Sequence, residues 1–235
     1  MSDRVVLITG AGRGIGLGLV KVYLEKGYSV AASARNPEKA KELKRLQKSD
    51  PNLILLSFDV TDESAIKEAS RAVQKEWGHL DILINNAGIF GEKNQDSITK
   101  LKLEAANHVF DVNLFGPIRV TRAFLPLLEK GKEKKVIHIT SLMGSIDDNQ
   151  SGGYYAYRIS KTALNMMNRS LSHELGKKGF ICTVMHPGWV KTDMGGAEAP
   201  TPVEGSANGL FTTISRLVPE DSGRFLDYQG KRIPW

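Results

Sequence analysis

One cysteine, Cys182, stands in a chain of 235 residues. That excludes an internal disulfide framework and any cysteine-rich zinc site. Set in the apolar run from Phe180 to Met185, Cys182 reads as a small buried hydrophobe. The five histidines are dispersed. His173-Glu174 lacks the second histidine that a zinc protease helix needs, so no metal site is expected. No apolar run approaches the roughly 20 residues of a membrane helix, and the one near the start is too short for a signal peptide. Internal repeats and low-complexity tracts are missing as well. The expectation is a soluble, cytoplasmic protein with no membrane partner.

Charge excludes less. The formal net charge is +6, and a basic balance raises the question of nucleic acid. The lysines are scattered along helical stretches such as Lys39 to Lys48, and the one dense cluster, Lys130 to Lys135, reads as a loop. No interleaved aromatic and basic motif accompanies them, so no nucleic-acid partner is expected, and attraction for an anionic cofactor is the simpler account. The composition, 41% hydrophobic and 25% charged, is ordinary for a soluble domain. The length fits one large α/β domain spanning 1–235.

What is present begins with a short Val/Leu/Ile run, Arg4 to Thr9, which predicts a buried parallel strand. It leads into Thr9-Gly10-Ala11-Gly12-Arg13-Gly14-Ile15-Gly16, and then a helical pattern from Leu17 to Lys26 ends at Gly27. Glycine lets the main chain approach a pyrophosphate, and a helix N-terminus offers free amides and a positive dipole end. The order strand, glycine turn, helix therefore points to a dinucleotide. A second strand, Tyr28 to Ser33, ends in Ala34-Arg35-Asn36 with no acid in place. An acid there would take the ribose hydroxyls of NAD, whereas a nearby arginine accepts the 2′-phosphate of NADP. Arg35, with Arg13 as a second cation, predicts NADPH/NADP+ as cofactor, since the guanidinium fork suits phosphate.

A second constellation lies at Tyr157-x-x-x-Lys161. In a helix from about Tyr155 onward, residues four apart share a face. A free phenol has a pKa of about 10, and a cation about 4–6 Å away would lower it. A tyrosine tuned in that way could donate a proton to a carbonyl oxygen or take one from an alcohol. Tyr154 and Tyr155 have no lysine at that spacing.

The form Thr-Gly-x-x-x-Gly-x-Gly, together with the Tyr-x-x-x-Lys pair and Asn85-Asn86-Ala87-Gly88 after a fourth strand, resembles the short-chain dehydrogenases/reductases over essentially the whole chain. The resemblance implies a single-domain Rossmann fold, a doubly wound parallel sheet of about seven strands with helices on both faces. It assigns catalysis to Asn113, Ser141, Tyr157 and Lys161. Asn113 would distort its helix and hold a relay water. Ser141 would hydrogen-bond the substrate oxygen, and Lys161 would lower the tyrosine pKa and hold the nicotinamide ribose. Cofactor contacts fall to Gly10, Gly12, Arg13, Gly14, Ile15, Gly16 and Arg35, then to Asp59 and Val60 beside the adenine. Asn86, Ala87 and Gly88, Tyr157 and Lys161 themselves, and Pro187, Gly188, Val190 and Thr192 over the carboxamide complete the set. Ala156 to Asn165, His186 to Gly196 and the Ile-Pro-Trp end look like the sniffer-type carbonyl reductases and the related C-factor proteins. The implied reaction is NADPH-dependent reduction of a ketone, quinone or aldehyde to an alcohol. A dinucleotide-binding signalling protein of C-factor type with little turnover is the alternative. A homodimer, or a tetramer, is the implied assembly.

Between these motifs the pattern predicts helices over Pro37 to Lys48, over Asp62 to Trp77 with Thr61 as cap, and over Glu104 to Leu128 in one piece. Gly144 to Gly153 reads as a lengthened loop on the substrate side, and Met194 to Pro200 as a candidate lid. Thr201-Pro202-Val203-Glu204 reads as a capping box, and Gly223 to Tyr228 as the last strand.

Overall fold

The computed structural model describes residues 3–91 and 97–235. Its strands are β1 (Val5–Ile8), β2 (Ser29–Ala34), β3 (Leu53–Ser57), β4 (Ile82–Asn85), β5 (Lys135–Ile139), β6 (Ile181–His186) and β7 (Phe225–Asp227). They form one seven-stranded sheet in the order β3-β2-β1-β4-β5-β6-β7, with each neighbouring pair parallel. Strands of a parallel sheet are buried on both faces and so need near-continuous apolar runs. Val5–Ile8 supplies one, and all four of its residues are buried.

Helices α1 (Gly14–Glu25), α2 (Lys41–Ser49), α3 (Glu63–Glu76), α4 (Leu103–Phe110), α5 (Gly116–Leu128), α6 (Tyr155–Gly176) and α7 (Val203–Arg216) cover the sheet. Side chains alternate across a strand, and two cores result. Val6 and Ile8, Ile82 and Ile84, and Ile137 and Ile139 pack with residues of α1, α2 and α7. Val5, Leu7, Leu83 and Val136 pack with residues of α3, α5 and α6. The chain winds outward from β1 to β3, then crosses back to lay β4 beside β1. The carboxyl ends of β1 and β4 therefore flank the point where the strand order reverses, the usual ligand crevice of such sheets.

Several local expectations give way to tertiary contacts. The stretch expected as one helix over Glu104 to Leu128 is broken by a π turn at Asp111–Phe115, where the resemblance implied that Asn113 distorts the helix. Asp62, not Thr61, caps α3, its carboxylate accepting from the amides of Ser64 and Ala65. The Thr61 hydroxyl donates instead to Asp59 Oδ1 at 2.8 Å. The capping box at Thr201 does not form: α7 starts at Val203 without a side-chain cap. The main chain of Thr201 pairs with its neighbours in the preceding loop, donating to the Trp189 carbonyl at 3.1 Å and accepting from the Lys191 amide at 2.8 Å. Pro37 opens a 3₁₀ turn, Pro37–Lys39, before α2 begins. The last strand shrinks to Phe225–Asp227.

Candidate active site

Two close approaches press the glycine turn against the end of β4. Gly10 has φ +66°, and a Cβ there would lie 2.8 Å from Ala87 Cα. A Cβ on Gly16 would lie 2.3 Å from the Gly10 carbonyl oxygen and 2.6 Å from Asn86 Nδ2, so no side chain fits either position. Asn86 Nδ2 donates to the carbonyls of Thr9 (2.8 Å) and Gly10 (3.2 Å). Thr9 Oγ1 in return accepts from the amides of Asn86 and Ala87, both at 3.0 Å. The Asn86 side chain thus fastens the turn, leaving main chain at Ala87 and Gly88 to face the crevice.

The N-terminus of α1 has no side-chain cap and no acid in its first turn. Its leading amides, at Gly14, Ile15 and Gly16, are the unsatisfied donors that suit an anion. Thr192 approaches the same point: its Cγ2 lies 3.3 Å from where a Gly14 Cβ would be. The loop that carries Thr192 is anchored at its start, where Ser206 Oγ donates to the Pro187 carbonyl at 2.6 Å. Gly188 there has φ +87°, and Val190 is buried and bridges to Thr201. Gly12 lies near the end of β2, with the Ala34 Cβ 3.5 Å from its missing Cβ. Arg35 follows that strand and faces Asp59 Oδ2 at 4.0 Å. Arg13 is ion-paired with Asp193. Val60 turns its side chain toward Gly116, where a Cβ would come within 2.7 Å.

Ser141 leaves β5 and caps a short 3₁₀ turn, its Oγ accepting from the Met143 amide at 3.2 Å. Tyr157 and Lys161 share one face of α6, both buried. The Ser141 hydroxyl lies near enough to the Tyr157 phenol to favour its ionised form. Lys161 Nζ donates to the Ile139 carbonyl at 2.9 Å and lies 5.7 Å from the Tyr157 ring centroid. Asn113, fully buried in the π turn, accepts from the Ile89 amide at 2.8 Å and donates to the Ile89 carbonyl at 2.9 Å. It also donates to Ser160 Oγ at 3.1 Å, and Ser160 donates to the Tyr157 carbonyl at 2.8 Å. A Cβ on Gly88 would lie 3.3 Å from Asn113 Oδ1 and 3.5 Å from Lys161 Nζ. The four residues expected to act together do converge, at the carboxyl end of the sheet beside Gly88.

One expectation is reversed. Lys161 was expected to pull the Tyr157 pKa down, yet burial pushes the phenol up to about 12. The nearby Ser141 hydroxyl favours the phenolate but does not outweigh desolvation. Burial also draws Lys161 down to about 8. Desolvation disfavours the charged form of both groups, and the ammonium spends a proton on the Ile139 carbonyl rather than on the phenol.

Four contributors escaped the motif reading. Phe90 lays its ring on Tyr157 at 4.6 Å between centroids and meets Tyr154 at 5.2 Å. Ser160 links Asn113 to Tyr157 and sits inside the Tyr-x-x-Ser-Lys spacing, which was the available signal. His186 accepts from the Leu142 amide at 3.2 Å, steadying the residue after Ser141. His138 is fully buried, takes part in a 3.2 Å contact with Asn85 Nδ2 through Nδ1, and is drawn down to about 3 by burial and by the nearby Lys161 charge. Nothing in the local sequence marks His138; His186 opens the segment that resembles the family's, with no local signal of its bond to Leu142. Among the described residues, no group of three or more histidines, cysteines or acids is placed to hold a metal, and no helix is long and apolar enough to cross a membrane.

The buried ammonium has a consequence for stability. A folded pKa of about 8 against 10.5 unfolded corresponds to about 3 kcal/mol of destabilisation. The unfolded chain binds the proton more tightly, so this cost is whole below pH 8 and fades as pH rises toward 10.5. Lys161→Met also leaves the Ile139 carbonyl without its partner, a loss of about 1 kcal/mol. The variant is expected to be more stable than the wild type by about 2 kcal/mol at pH 7. In urea unfolding the gain should shrink when the pair is compared at pH 9.5; an equal or lower midpoint at pH 7 would count against a strained lysine.

Comparison with known proteins agrees with this geometry. The family model described as short chain dehydrogenase matches residues 4–202. The C-signal protein of Myxococcus xanthus is 48% identical over 158 residues, 67% of this chain and 94% of that protein. The crystal structure of the NADPH-bound carbonyl reductase from chicken fatty liver superposes with a TM-score of 0.93 at 38% identity, covering 100% of both chains. The carbonyl reductase Sniffer of D. melanogaster gives a TM-score of 0.94 at 36% identity, again over 100% of both chains.

Proposed function

Because the chain belongs to the short-chain dehydrogenase family of oxidoreductases, we propose that it is an NADPH-dependent carbonyl reductase acting on a ketone, quinone or aldehyde. The observation that carries the proposal is the buried cluster in which Tyr157 and Lys161 share a face of α6, Asn113 Oδ1 and Lys161 Nζ both approach Gly88, and the Ser141 hydroxyl lies near the phenol. The residues present fit the cofactor. The uncapped first turn of α1 suits the pyrophosphate. Arg13 and Arg35 suit a 2′-phosphate, and Asp59 and Val60 lie at the end of β3 for the adenine. Main chain at Ala87, Gly88, Pro187, Gly188 and Val190, with the Thr192 hydroxyl, would hold the nicotinamide half. The bound cofactor supplies the hydride that reaches the carbonyl carbon.

The chain's own residues do the rest. A phenol held at about 12 is protonated at neutral pH, which is the state a proton donor needs. Tyr157 gives its Oη proton to the carbonyl oxygen as negative charge develops there, and Ser141 Oγ donates to the same oxygen and spreads that charge. Lys161, its Nζ 5.7 Å from the Tyr157 ring centroid, would replace the lost phenol proton through an intervening hydroxyl or water. Asn113 holds the π turn, where a bound water would pass a proton between Lys161 and solvent. Phe90 covers the Tyr157 ring and keeps bulk water from it.

A homodimer in the cytoplasm belongs to the proposal. A groove beside α4 and α5 is lined by Asn107, His108, Phe110 and Phe115, and Phe115 is 48% exposed, an apolar side chain suited to an interface core. Light scattering should return twice the chain mass or a multiple of it; a monomer would remove this part of the proposal.

The reaction is tested by following consumption of NADPH against a panel of diketones, quinones and aldehydes, with NADH alongside. Turnover that prefers NADPH supports the reading. Tight NADPH binding with no turnover across the panel would move the balance to the dinucleotide-binding signalling role.

A further inference from the structure

Ser141 and Tyr157 must sit within hydrogen-bond reach, yet the chain between them is an irregular segment. It is held in an unusual shape. Gly152, Gly153 and Tyr154 follow one another with φ of +63°, +65° and +47°. Tyr154 is an L-residue in the left-handed region, where the side chain crowds the main chain. Such a conformer persists only when its surroundings hold it.

Arg158, one residue after Tyr157, provides that hold. Its Nε donates to the Gly152 carbonyl at 3.0 Å, its Nη2 to Ser151 Oγ at 2.8 Å and its Nη1 to the Met143 carbonyl at 3.4 Å. One rigid, planar guanidinium thus reaches both ends of the segment, two residues after Ser141 and five before Tyr157. Farther along the same face of α6, Thr162 Oγ1 and Asn165 Nδ2 both donate to the Gly144 carbonyl, at 3.0 and 3.1 Å. Those two fix the near end alone; Arg158 joins the near end to the far one.

We propose that Arg158 is a positioning residue for the reductase: its guanidinium sets the Ser141 and Tyr157 hydroxyls by bolting residues 143–152 to the first turn of α6. The inference rests on the carbonyl reductase reading given above. Lysine has the charge but not the fork, so it cannot bridge three acceptors in fixed directions.

The test compares wild type, Arg158→Ala and Arg158→Lys by steady-state kinetics and by hydrogen exchange of residues 143–153. For Arg158→Ala, kcat should fall about tenfold with KM for NADPH unchanged. The alkaline limb of its pH–rate profile should move upward, because the Ser141 hydroxyl, which favours the phenolate, is less well placed beside the phenol. Arg158→Lys should recover little, and added guanidinium ion should restore part of the alanine variant's rate. Exchange across 143–153 should quicken in both variants while α6 beyond Asn165 stays protected. Unchanged kcat and pH profile in a folded Arg158→Ala, or full recovery by lysine, would overturn the proposal. If the wild type reduces no carbonyl, the reductase reading fails by itself. Exchange then still decides on the clamp: unchanged protection in Arg158→Ala means that Arg158 holds nothing.

Discussion

Tyr157→Phe is expected to lower kcat/KM for carbonyl reduction about 1000-fold, within the range for loss of a general acid, while the Kd for NADPH changes less than about twofold. The substitution removes one oxygen and leaves the ring that packs on Phe90 at 4.6 Å, so the fold and the crevice persist. Three orders of magnitude are about 4 kcal/mol of barrier, more than packing changes at an isosteric ring can supply. Ser141→Ala, which removes a charge-stabilising donor but leaves the acid, belongs nearer 100-fold. Stopped-flow binding together with steady-state rates separates the two parameters. A Tyr157→Phe variant that retains a tenth of the wild-type rate would mean that the proton comes from another group, and the proposed chemistry would have to be rebuilt around it.

The double variant Arg13→Ala/Arg35→Ala is expected to lose the preference for NADPH over NADH by about 1000-fold, with kcat/KM for NADH almost unchanged. Each arginine now faces an acid, Arg13 an ion-paired Asp193 and Arg35 an Asp59 oxygen at 4.0 Å. The Arg13 and Asp193 side chains are 77% and 73% exposed, and surface pairs of this kind contribute about 0–1 kcal/mol. A charge-assisted bond to phosphate contributes about 1.5–3 kcal/mol. The phosphate therefore wins both arginines, and two such bonds account for roughly three orders of magnitude. The ratio of kcat/KM values for the two cofactors measures the effect. A ratio that survives both substitutions would mean that the 2′-phosphate is bound elsewhere.

The strand that carries the glycine turn, the turn itself and the Tyr157–Lys161 pair were legible because each is written in consecutive residues. Apolar runs set the parallel strands, and Asn86 and Gly88 sit at a fixed offset behind one of them. What escaped depends on residues far apart. The π turn follows from Asn113 bonding the main chain of Ile89, 24 positions away. The resemblance implied a distortion at Asn113, but helical periodicity alone carried the pattern straight through Asp111–Phe115 and gave neither the kind of turn nor its partner. The Arg13 partner, Asp193, lies 180 positions distant. The capping box at Thr201 was chemically sound, but its main chain was already engaged with Trp189 and Lys191. The Tyr157 pKa went the other way from expectation because spacing places Lys161 on the correct face and says nothing of where its ammonium points or how dry the pocket is.

The bonds of Asn113 to Ile89 carry one more meaning. The side-chain amide meets the N–H and the C=O of one residue, as an opposing peptide unit would in a sheet. Asn113 thus serves as a detached piece of main chain, grafted onto a helix to finish pairing that β4 leaves open beyond its last residue. A peptide unit must both give and receive, and aspartate, its nearest isostere, only receives. Slow hydrolysis of that amide, the commonest chemical ageing of asparagine, would set a carboxylate oxygen against the Ile89 carbonyl. The protein would then be altered at its catalytic turn by a change of one mass unit that leaves its outline intact.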